Sequence, residues 1–187
     1  MIKSYKTKVL LNQSLYFLIF ILGHFILLAP ISLVPVNILL PEIMLLITLV
    51  LIIRNPDYVP IWLIFLVFML SDFLLTKPLG LNTFITIIIT EFVRRNRPAF
   101  IEMLFFSEWL LIAIILLLAS ISKQILLIFT LSERQNWINI FPQIGVDILI
   151  YPIIVGLVRI IFKVKKSEFF TFDINQYSLF SRFSPAL

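Results

Sequence analysis

Residues 15–34 read LYFLIFILGHFILLAPISLV, and His24 is the only side chain among them that could carry charge near neutral pH. A run of that length has nowhere to hide in a small water-soluble domain. About 20 apolar residues are, however, what a helix needs to cross hydrocarbon. The pattern recurs at residues 61–70, and the chain as a whole is 61% hydrophobic with a mean hydropathy of +1.10. Charged residues make up 13%, against about a quarter in a typical soluble domain. The expectation is an all-α integral membrane protein that crosses the bilayer several times. Its 187 residues leave no room for a second domain of ordinary size.

Composition also removes whole classes of chemistry. With no cysteine, disulfides, thiolate zinc sites, iron–sulfur clusters and thiol catalysis are excluded. His24 is the one histidine, so HExxH and multi-histidine metal sites are excluded. Gly23, Gly80, Gly145 and Gly156 stand far apart and form no phosphate-binding loop. No cofactor is expected, and the protein reads as a non-enzyme. The net charge of +5 would suggest nucleic acid in a soluble chain, but here it reads as topogenic Lys and Arg, with no nucleic-acid partner.

Six spans are predicted, at about 12–33, 38–54, 58–76, 79–95, 103–128 and 140–162. The first is too long for a secretory h-region and lacks a small-residue cleavage site, so it reads as an uncleaved span. The fifth is overlong. Either it tilts, or it ends near Ser122 and residues 125–131 lie at the interface. Twelve of the fifteen Lys and Arg fall on one side of this arrangement, and only Lys77, Lys123 and Arg134 fall on the other. Both termini are therefore expected in the cytoplasm. Residues 1–166 form the predicted membrane domain. Residues 167–187 form a Phe-rich cytoplasmic tail that is either surface-bound or unstructured.

The polar residues inside these spans are the candidate site. A carboxylate in hydrocarbon costs about 2.5–3.5 kcal/mol on insertion scales, so each needs a reason to be there. Glu91 lies three and four residues before Arg94 and Arg95, which predicts a local ion pair. Glu42, behind Pro41, is expected to cap the second span. His24 is expected to bond a nearby carbonyl or hydroxyl. Glu108 is expected to face Arg97 or residues 54–57. Asp72 and Asp147 have no basic residue at helical spacing. Together with Asn82 and Lys123 they are expected to form either a hydrogen-bonded knot that ties the bundle or a polar cavity for a solute or a partner chain. Pro152 removes an i→i−4 bond, so a carbonyl one turn earlier should need a partner from another helix.

The string RNPDYVPIWLIFLVFMLSDFLLTKPLGLNTFITIIITEFVRRNR, residues 54–97, resembles the bacterial rod shape-determining protein MreD family. The resemblance rests on Asp72 near the end of the third span and on the Leu79-Gly80 turn after it. Pro41-Glu42 and Asp147 with Tyr151-Pro152 resemble the family's second and last spans. Thr76 departs from the glycine that many members carry. The resemblance implies a fold like the substrate-binding component of energy-coupling-factor transporters. It implies a scaffold of the rod complex, which inserts peptidoglycan along the side wall. Its implied partners are MreC directly, RodA and the elongation transpeptidase, and MreB indirectly. A small-solute-binding or transport subunit is the alternative. The expected partner surface comprises Lys77, Leu79 and Gly80, with Ala113, Ala119 and Ser120 as a second seam.

Overall fold

The computed structural model describes residues 2–28, 42–75, 78–129 and 137–162. Every regular element among them is helical. In chain order these are α1 (Ile2–Leu28), α2 (Ile43–Arg54), a 3-10 turn (Pro56–Tyr58), α3 (Ile61–Leu74), α4 (Leu81–Arg95), α5 (Arg97–Glu102), α6 (Phe105–Phe129) and α7 (Trp137–Phe162).

Prolines and one glycine punctuate the chain. Pro56 disfavours helical backbone at the residue before it, and Asn55 is extended at φ −152° and ψ 95°, which ends α2. Pro60 precedes α3 with ψ 156°. Pro98 sits in the first turn of α5, where a missing amide costs nothing. Gly80 opens α4 at φ +82°, a left-handed conformation that a side chain would strain.

Three helices are long and apolar enough to cross a membrane, over Tyr5–Ile26, Phe105–Ile128 and Phe141–Phe162. The other three predicted spans take a different form. α2, α3 and α4 have 12, 14 and 15 residues. At 1.5 Å per residue they reach about 18–22 Å, short of a hydrocarbon core of about 30 Å. Part of the predicted second span, residues 38–41, lies outside the described residues, as does the tail after Phe162. The third begins with a 3-10 turn and Pro60, so its helix starts at Ile61 and not at 58. α5 was not expected. α6 runs unbroken through Ser122 to Phe129.

α2 occupies the middle of the bundle. Nine of its twelve residues are buried, from Leu45 to Arg54. α4 and α7 pack directly on it, and Tyr16 of α1 bonds Thr48 at 2.8 Å. A helix apolar all round is stable only when surrounded. Here protein, not lipid, surrounds it, so its shortness does not matter. The core consists of Leu46, Leu49, Leu51, Ile52 and Ile53 of α2 with Phe20, Ile64, Val67, Ile112 and Tyr151 from its neighbours. Outside, α1, α6 and α7 present exposed Leu and Ile, as a lipid-facing surface requires.

Candidate functional site

The interior polar residues collect at three places. The first is the start of α2. Helix starts leave backbone amides without partners. The Glu42 amide donates to Asp147 Oδ1 of α7 at 2.8 Å. The Glu42 carboxylate turns away to Lys123 of α6, whose Nζ lies 2.6 Å from Oε1. Glu42 was expected to cap its own helix. Its side chain makes no capping bond there, and a carboxylate from another helix takes that role. The reason is geometric: an ammonium within reach holds Glu42, and Asp147 faces the amide.

The second place is the start of α4. Gly80 occupies the cap position and has no side chain to offer. Asp72, from the end of α3, supplies it. Its Oδ2 accepts from the Gly80 amide at 3.2 Å, the Thr83 amide at 3.1 Å and the Thr83 hydroxyl at 2.8 Å. Asp72 is fully buried. The adjacent Ser71 hydroxyl lies 2.8 Å from His24 Nε2, and His24 Nδ1 donates to the Phe20 carbonyl at 3.0 Å. This is the carbonyl-and-hydroxyl arrangement expected of a histidine held inside a bundle.

The third place is the far end of α2. Arg54 Nη2 lies 2.9 Å from Glu108 Oε1, with both side chains almost wholly buried. The Tyr151 hydroxyl donates to the same oxygen at 2.9 Å. Three helices, α2, α6 and α7, thus meet at one carboxylate. Arg97 of α5 donates to the carbonyls of Ile53 and Arg54, at 3.0 and 2.9 Å, and so closes the C-terminal end of α2. Burial pulls the Arg97 guanidinium below its ordinary pKa, and nearby Asp57 and Tyr5 draw it back up. Arg94 donates to the Val59 carbonyl at 2.7 Å. Asp57 accepts from Tyr5 of α1 at 2.6 Å, which ties the first helix to the same end. Glu91 pairs with Arg95 at 3.2 Å and Arg94 at 3.7 Å, as its spacing predicted.

The four residues expected together divide into two groups. Lys123 and Asp147 both gather at Glu42, while Asp72 binds Gly80 and Thr83. Among the described residues no hydrogen bond links Asp72 to Lys123 or Asp147, and Asn82 is half-buried in the first turn of α4. Of the expected partner surface, Leu79 is 63% exposed and Gly80 has open space beside it. Lys77 lies outside the described residues. Ala119 is buried, so the second seam is not open along its length. Glu108 faces Arg54 as one of its two expected partners, whereas Arg97 faces backbone carbonyls.

Thr83, Tyr151 as a hydrogen-bond donor, and Arg97 as a helix closure went unread in the sequence. Each acts across helices, where spacing says nothing. Trp109 was readable in part. Pro152 leaves the Ile148 carbonyl without its intrahelical donor, and Trp109 Nε1 of α6 donates to it at 2.9 Å. Among the described residues no group of three or more His, Asp or Glu could hold a metal ion. No protein family, curated protein or solved structure matches this chain.

Proposed function

We propose that this chain is a non-enzymatic scaffold of the rod complex in the bacterial inner membrane. It binds MreC and helps organise side-wall peptidoglycan synthesis with RodA and its transpeptidase, above MreB. On this reading all six apolar segments belong to the membrane domain, both termini are cytoplasmic, and the fold is that of an energy-coupling-factor substrate-binding component. The observation that carries the reading is the Asp72–Gly80 bond. It ties the two halves of the family-like motif together beside the exposed Leu79. A scaffold needs such a fixed feature at the rim of an otherwise greasy surface.

Affinity purification from native membranes tests this. MreC is the expected co-purifying chain, and an ATPase module in its place would refute the scaffold. Leu79→Ser should reduce MreC recovery at normal protein abundance. Gly80 is the poorer probe, because any side chain at φ +82° strains the backbone itself. The transport alternative draws on one feature: Asp72 Oδ1 and Thr86 Oγ1 are buried without a hydrogen-bond partner. Saturable binding of a small solute that Asp72→Asn abolishes would favour that alternative.

A further inference from the structure

α3 and α4 are short, like α2, but they are not enclosed. They pack against each other, and their outward sides carry exposed Trp62, Phe65 and Phe73 on α3 and Phe84, Ile88 and Phe92 on α4. The lipid-facing sides of α6 and α7 are mainly Leu and Ile. α3 and α4 are about 21–22 Å long, with Glu91, Arg94 and Arg95 in the last turns of α4, against about 37 Å along the 25 residues of α6. A hydrocarbon core of about 30 Å fits α6 with some tilt but overhangs α3 and α4. Short helices relieve such a mismatch by thinning the bilayer or by associating, and each ångström costs a fraction of a kcal/mol.

We propose that the outward side of α3 and α4 docks a second copy of this chain. A second copy brings the same deficit, so one contact removes it twice, whereas a helix of ordinary spanning length brings none. The charges also suit a self-complementary surface. Phe84, Ile88, Glu91, Phe92 and Arg95 follow helical spacing down one face of α4, with the two charges at one end. Arg95 is 79% exposed at its side chain and Glu91 about a third. Glu91 and Arg95 pair within each chain at 3.2 Å, and a two-fold axis along the membrane normal sets like ends together, so the two copies bring a pair of opposite charges to the same level. This proposal rests on the reading that α3 and α4 belong to the membrane domain, and not on the scaffold role.

The chain has no cysteine, so single cysteines report contacts cleanly. Phe84→Cys or Ile88→Cys, reconstituted in phosphatidylcholine vesicles and oxidised, should give a disulfide-linked dimer several-fold more abundant than Leu118→Cys on α6 or Ile153→Cys on α7. The linked fraction should rise from short-chain to long-chain lipid, because a thicker core enlarges the deficit. Arg95→Glu should reduce it several-fold, and adding Glu91→Arg should restore it. Equal linkage from all four positions overturns the proposal. So does a fraction that falls with thickness, an Arg95→Glu chain that dimerises normally, or linkage in native membranes to a different protein and not to a second copy.

Discussion

The two ends of α2 solve the same problem with different materials. At the Arg54 end, the Arg54–Glu108 pair is closed off, with side chains 5% and 0% exposed. At the Glu42 end, the pair with Lys123 remains partly open, at 14% and 27%. The closed end is knitted by side chains from α5, α6 and α7, which land on both the carboxylate and the helix carbonyls. The open end has one ammonium for two carboxylates, and only Asp147 touches the helix backbone. Breaking a buried pair strands a charge and is far more costly than breaking an accessible one. The Arg54 end should therefore hold the bundle together, and the Glu42 end should tolerate change.

The largest effect is expected from Glu108→Leu, which leaves Arg54 buried without its counter-charge. It should destabilise the protein by about 3–5 kcal/mol in thermal unfolding in detergent. Removing both charges, as Arg54→Met with Glu108→Leu, should recover much of that loss, because no lone charge is then left inside. A double variant as unstable as the single one would show that the pair does more than neutralise itself.

Arg97→Leu comes next. It strips the donors from the carbonyls of Ile53 and Arg54, for an expected loss of about 1–3 kcal/mol. Hydrogen exchange at the last turn of α2 should quicken more than at its first turn.

At the open end, Asp147→Leu should cost about 1–2 kcal/mol, since the Glu42 amide loses its acceptor. Asp147→Asn keeps an acceptor and should be milder. Lys123→Met is placed last, at about 0–1 kcal/mol, because its pair with Glu42 is accessible to water or headgroups. If Lys123→Met destabilises the protein as much as Glu108→Leu, the contrast between the two ends collapses. Asp72→Leu offers an internal standard: it removes three bonds from the start of α4 and should fall near Arg97→Leu in the same assay.

Local regularities were legible in the sequence because they follow from chain geometry alone. Residues 15–34 and 103–128 are apolar for long enough to require helices in a membrane; α1 takes in residues 15–28 of the first stretch and α6 residues 105–128 of the second. Glu91 pairs with Arg94 and Arg95 because one helical turn brings them together. Pro152 announces a carbonyl in need of a donor, since proline has no amide hydrogen. Which neighbour would answer could not be read, because nothing along the chain connects position 109 with 148. The same gap explains Glu42. Its place before α2 suggests a cap, but Lys123 is 81 residues away, and only packing brings the two together.

Apolar length and charge spacing thus settled that this chain is helical and which stretches are long enough to meet a membrane. Hydrocarbon leaves backbone groups no other partner, so that much needs no knowledge of the neighbours. Tertiary structure decided the rest. It enclosed α2 and left α3 on the outside, although both are apolar runs of similar length. It also gave Asp72 to α4 and Asp147 to α2. Burial and pairing depend on which helices touch, and that is set by how the whole bundle fills space.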